Sequence, residues 1–186
     1  MFERDFGQSA VTTFVLMSSL FAIVFGRFPT VETGTSMSTP AVPPRSTESG
    51  AEFWLLANQV SRRTENERLM NIQSGFAPGW IRSVREAFRL NHEHLEELLN
   101  ASTSTLERRQ RQQQPLDRVT SERLDRIAMI ASQAMDIFET PERASQWMLT
   151  ANAALRDQSP LRLCETEIGA WQVRRTLAAI AHGGVV

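Results

Sequence analysis

At 186 residues the chain has room for one domain or two small ones, and a net charge of −1 leaves no global basic field to draw it onto nucleic acid. Any DNA binding must therefore come from a local patch. The single cysteine, Cys164, excludes an internal disulfide framework and reads as a small core residue rather than a nucleophile. All 20 basic residues are arginine, a bias that most simply reflects GC-rich coding, although arginine forks also grip phosphates and guanine edges.

The first feature in chain order is an uncharged, mostly apolar run at residues 10–25, AVTTFVLMSSLFAIVF. Sixteen residues fall short of the ~20 that a membrane-spanning helix needs, and Thr12, Thr13, Ser18 and Ser19 weaken it further. Glu3-Arg4-Asp5 gives no positive n-region and no small-x-small cleavage site follows, so a signal peptide is a poor fit. Residues 30–50 are rich in Ser, Thr, Pro and Gly and read as a linker. Met37 lies inside it. The expectation is that translation starts there and that residues 1–36 are extraneous; a weak membrane anchor and a disordered apolar tail are the alternatives. Residues 1–50 are thus set apart as extension and linker.

From residue 51 to 69 an apolar periodicity of Phe53, Leu55, Leu56, Val60 and Leu69 predicts a helix or two. Gly75-Phe-Ala-Pro78-Gly79 breaks the chain. Trp80, Ile81, Val84, Ala87 and Phe88 then share one helical face, with Arg82, Arg85 and Arg89 around the other side. Asn91 can cap the next helix, with His94 in place of the acid of a full capping box and Leu95, Leu98 and Leu99 as its buried stripe. Asn100 stands where a left-handed residue is wanted, and Ser102 can cap a following helix whose inward residue is Leu106.

Two short helices joined by a tight turn make a helix-turn-helix, whose second helix enters the major groove by its N-terminal turn. Thr103, Ser104, Thr105, Arg108, Arg109 and Arg111 are then the candidate DNA-binding residues, hydroxyls for phosphates and arginine forks for guanine. Arg118 extends the basic strip, while Glu107 and Asp117 dilute it. Glu96 sits where a small alanine usually lets such helices cross, and Asn100 replaces the usual turn glycine. A plain helical hairpin with a solvated arginine face is the competing reading. His92 and His94 are two apart on a helix and point to different faces, and no metal or cofactor motif can be assembled.

Thr120 or Ser121 is expected to cap a long helix running to about Phe138, with Leu124, Ile127, Ala128, Ala131, Met135 and Phe138 on one stripe. Thr140-Pro141-Glu142 is a restart signal, followed by Ala144, Trp147 and Met148 at helical spacing. Ser159-Pro160 opens another short helix. Glu165-Thr166-Glu167 leads a final one, expected to be lined by Ile168, Trp171, Val173, Leu177 and Ile180 and to end at Gly183-Gly184. The fold class is all-α, divided at 51–118 and 119–186. No nucleophile–base pair or phosphate loop is present, so no enzymatic activity is expected.

The ordered segments 103–109, 121–126, 134–138, 147–149, 152–155, 160–161, 166–169 and 182–185 resemble the Xre-type antitoxins, over about three fifths of the chain. Asn152 departs from that pattern by following Ala rather than Pro, and Arg156-Asp157 stands where a glycine turn is common. The resemblance implies an N-terminal helix-turn-helix that represses the operon. It also implies a small C-terminal helical domain that neutralises a RES-domain, NAD-depleting toxin by covering its active site. Operator DNA, the cognate RES-domain toxin and a second copy of the chain are the implied partners, in a larger hetero-oligomer and in the cytoplasm. Trp147, Asn152, Leu155, Trp171 and Arg174 are the implied toxin-binding residues, with His182, Gly183, Gly184, Val185 and Val186 as a thin, uncharged tail laid into the toxin's cleft. A helix-turn-helix regulator without a toxin partner is the second reading.

Overall fold

A computed structural model of the protein describes residues 46–183, and the readings made on residues 1–45 and 184–186 lie outside them. Among the described residues nine α-helices follow in order: α1 Ser46–Ser61, α2 Glu65–Ser74, α3 Gly79–Ala87, α4 His92–Leu99, α5 Thr103–Arg111, α6 Arg118–Phe138, α7 Pro141–Leu149, α8 Pro160–Leu163 and α9 Glu167–Ala181. A 3₁₀ turn, Ala153–Leu155, joins α7 to α8, and an isolated bridge between Asn152 and Gln158 is the nearest approach to β-structure among the described residues. The fold is all-α, as expected from the patterning.

The apolar stretch at 51–69 forms two helices, because Thr64 and Glu67 close a full capping box that restarts the chain as α2. The buried face of α1 is Phe53, Trp54, Ala57 and Val60, at spacings of one, four and seven. Leu55 and Leu69, counted in the predicted stripe, are exposed instead: Leu55 sits off that phase, and Leu69 falls on α2, which has no buried residue. Phe53 meets Phe88 at 5.1 Å and Trp80 at 6.1 Å, both edge-on, and Phe76 lies 5.0 Å from Trp80. This aromatic cluster joins α1 to α3 and buries apolar rings in their favoured tilted arrangement. Gly75 closes α2 at φ +86°, and a side chain there would collide with the Leu116 carbonyl.

Helix α6 is the central element, about 31 Å long at 1.5 Å per residue. It packs against α1, α2 and α4 as well as α7 and α9, so its middle is buried nearly all round: Leu124, Ile127, Ala128, Ile130, Ala131 and Ala134 are all at 0% exposure. Met135, on the predicted stripe, is only half-buried. The cap is not Thr120 or Ser121. Asp117 Oδ1 accepts the Thr120 backbone N–H at 3.0 Å and Oδ2 accepts its hydroxyl at 3.0 Å. A carboxylate three residues before Thr120 wins because it accepts two hydrogen bonds at once, freeing the buried Ser121 Oγ to accept the Phe76 N–H at 2.9 Å.

Two neighbouring residues of α6 reach in different directions. Asp125 accepts both arms of the Arg68 fork, at 2.5 and 3.1 Å, and so ties α2 down. Arg126, 8% exposed, bonds Glu122, Glu167 at 3.0 Å, and the Cys164 and Glu165 carbonyls at 3.1 and 3.2 Å. It pins the turn that begins α9.

Thr140 caps α7 with Pro141 in the first turn, and Ser159 caps α8 with Pro160, as those signals predict. The inward face of α9 is a correction. Gly169, Ala170, Val173, Thr176 and Leu177 are buried, whereas Ile168 and Trp171 are 75% and 53% exposed and Ile180 is half-buried. Gly169 sets the phase: it lies so close to the Leu163 carbonyl that a Cβ would collide with it, and turning Ile168 inward would break that approach.

Candidate functional site

The α4–turn–α5 unit is built from its caps. Asn91 Oδ1 accepts the His94 N–H at 2.8 Å and starts α4; Asn100 ends it in the left-handed region at φ 52°, ψ 45°. Arg123, from α6, donates to the Glu97 and Leu98 carbonyls at 2.8 and 3.0 Å, so the open end of α4 is closed by a cation. Ser102 Oγ accepts the Thr105 N–H and starts α5. Glu96 accepts the backbone N–H of Thr103, and that bond holds its carboxyl below the ordinary value. The residue that stood out as a misfit at the helix crossing is thus a second cap for α5. Nothing local in the sequence signals it, because the bond spans seven residues across a turn.

Among the sequence-predicted DNA-binding residues, Ser104, Arg108 and Arg111 are exposed, and Thr103, Thr105 and Arg109 are half-buried. Leu106, 2% exposed, fixes the opposite side of α5 to the core. Arg109 Nη1 donates to the Pro115 carbonyl at 2.5 Å, which commits that arm to the loop before α6. Ser104, Arg108 and Arg111 project from the outward side of the helix with Arg118 exposed beyond the loop.

In the C-terminal half the predicted residues divide. Trp147 is 2% exposed and lies 5.4 Å from the Phe138 ring; Leu155 is 3% exposed. Asn152 Oδ1 accepts the Ala154 N–H at 2.9 Å and caps the 3₁₀ turn. The turn then passes through Arg156 and Asp157, both at φ 58°, so two L-residues take the left-handed backbone where a glycine was expected. These three residues form the connector and the core beneath it. Trp171, Arg174 and His182 belong instead to α9 and its end. Arg174 bonds Glu167, the same acid that meets Arg126. His182 and Gly183 are exposed, with Gly183 at φ +70°; Gly184, Val185 and Val186 lie outside the described residues.

Cys164 is fully buried, and its thiol is pushed up to about 12 by that burial. Among the described residues no three His, Cys, Asp or Glu side chains gather as a metal site, and no helix is long and apolar enough to cross a membrane.

A capped helix-turn-helix continuous with a second helical module marks a two-module DNA-binding protein. Residues 67–129 match the family model for the antitoxin Xre-like helix-turn-helix domain, and residues 133–183 match that for the antitoxin Xre/MbcA/ParS C-terminal toxin-binding domain. The chain is 28% identical over 131 residues to a protein of Sphingobium sp. named Prs ADP-ribosylating antitoxin, covering 66% of this chain and 82% of the relative. It is 29% identical over 112 residues to Antitoxin Xre of Pseudomonas putida, covering 60% of this chain and 69% of that relative. The chain belongs to the Xre-type antitoxins.

Proposed function

We propose that the chain neutralises a RES-domain, NAD-depleting toxin through its C-terminal module and represses its own operon through α5. It does both as a non-enzymatic cytoplasmic protein. The observation that carries this reading is the coexistence of an exposed, doubly capped recognition helix with a module matched by the toxin-binding family. Ser104 bonds phosphate, and Arg108 and Arg111 supply phosphate or guanine contacts, while Thr103, Thr105 and Arg109 set the height of the helix over the groove. A homodimer presents two such helices to half-sites about 34 Å apart. A relative named for ADP-ribosylation supports a toxin that spends NAD, since NAD is the donor in that chemistry.

At the toxin, Trp147, Asn152 and Leu155 hold the module's shape, and Trp171 and Arg174 lie nearer the contact. His182, Gly183, Gly184, Val185 and Val186 enter the cleft: glycines let backbone approach closely and valines give apolar contact. The test is co-expression with the product of the neighbouring gene, reading growth, cellular NAD and co-purification. Restored growth and NAD with a co-purifying pair is the expected result. Continued NAD loss, or no complex, overturns the reading in favour of a regulator without a toxin. Deleting residues 183–186 should leave the complex intact but let NAD fall.

A further inference from the structure

Helix α9 has two apolar sides. Directly opposite its buried face, Ile168, Trp171, Arg175, Ala178 and His182 recur at spacings of three, four, three and four, within about 80° of helical arc at ~100° per residue. All five are exposed, Ile168 at 75% and Trp171 at 53%. A helix lying on a core normally turns polar residues outward, and an apolar seam with a 3–4 spacing is the pattern of a helix that receives a second surface. The Arg175 guanidinium lies 4.7 Å from the Trp171 ring centroid, which holds the indole in place and sets a cation beside it. Arg175 takes part in none of the ion pairs among the described residues, whereas neighbouring Glu167 is engaged by both Arg126 and Arg174. The seam therefore presents apolar surface with an uncompensated positive charge.

We infer that this seam is the anchor by which the chain holds its toxin, and that the toxin meets it with an apolar hollow carrying a carboxylate opposite Arg175. The inference rests on the antitoxin reading above and assigns a distinct task within it: the seam supplies affinity, and the tail supplies inhibition. Two features favour the toxin as occupant. All of α9 lies inside the region matched by the toxin-binding family, and the seam ends at His182, where the tail begins. The charge left over on Arg175 supplies the complementarity that orients the partner.

The experiment uses the full chain and, as the probe, a RES-domain protein from the same genome. Affinity is measured by calorimetry for wild type, Trp171→Ala, Ile168→Asp, Arg175→Glu and a chain lacking residues 183–186. Light scattering follows the mass of each free chain, and thermal melting checks the fold. Trp171→Ala and Ile168→Asp should each weaken binding at least ~30-fold, the scale of an interface hot spot, without lowering the melting temperature. Arg175→Glu should weaken it at least ~10-fold, and tail removal should leave affinity within ~10-fold while abolishing protection of NAD. A wild-type chain that fails to bind the RES-domain protein overturns the antitoxin reading and the seam with it. Binding by wild type that Trp171→Ala and Ile168→Asp reduce less than threefold overturns the seam alone. So does a fall in the mass of the free variants with toxin affinity unchanged, which would make the seam a contact between copies.

Discussion

Replacing Trp147 tests the packing of the C-terminal module, and the structure fixes the expected size of the effect. The side chain is 2% exposed and stacks at 32° on Phe138, so nearly all of an indole's surface, of order 200 Å², is withdrawn from water. At ~25 cal/mol per Å² that is about 5 kcal/mol for the whole side chain. Alanine retains a small part of it, and a residual cavity adds back a comparable amount. Against this stands the indole N–H, which is buried without an acceptor among the described residues and already costs the native state about 1–3 kcal/mol. Trp147→Ala should therefore cost about 2–4 kcal/mol, a drop in melting temperature of roughly 8–15 °C for a unit of this size. Trp147→Phe keeps a ring on Phe138 and removes the unpaired donor, so it should cost less than about 1.5 kcal/mol. Urea and thermal denaturation followed by circular dichroism measure both. Equal losses for the two variants would refute the account, because the indole N–H would then be contributing rather than costing.

Gly169→Ala should destabilise by about 1–3 kcal/mol or more by forcing α9 off the Leu163 carbonyl, whereas Gly79→Ala, in open space, should change little; paired melting curves compare them. Cys164 should resist a thiol reagent at pH 8 in the native protein and react fully in denaturant, since burial keeps it protonated there. Fast native labelling would show that the α8–α9 turn opens. Glu96, held low by the Thr103 N–H, contributes stability present above the unfolded carboxylate's ordinary value near 4.5 and lost as pH falls through its lower folded value. For Asp117, burial pushes the carboxyl up but the Thr120 bonds outweigh it, so its contribution has the same sign. Urea midpoints should thus fall below about pH 4.5 in wild type and change less over that range in Glu96→Gln.

Most of the helices were legible because their boundary chemistry is local. Asn91, Asn100, Ser102, Thr140-Pro141 and Ser159-Pro160 act within three or four residues, and each does what its type predicts. The misses share a cause: a distant backbone decides them. Asp117 was read as a charge diluting a basic strip, but it caps the helix by taking both the N–H and the hydroxyl of Thr120, while Ser121 serves the Phe76 N–H from 45 residues away. Glu96 looked like a misfit until the turn folded Thr103 onto it. The phase of α9 depends on Leu163 meeting Gly169, which no hydrophobic count can show, so Ile168 and Trp171 were assigned to the core side. The outward side of α5 was readable because Leu106 alone had to face inward.

The matched regions end at residue 129 and resume at 133, yet α6 runs from Arg118 to Phe138 without a break. The two halves are thus geared to one shaft. Inserting a single residue there would turn one half by ~100° against the other and shift it ~1.5 Å, uncoupling Asp125 and Arg126 from later contacts on the same helix. Exchange of halves between related proteins can succeed only where the residue count across this helix is kept. No linker stands at this junction to absorb a change of length.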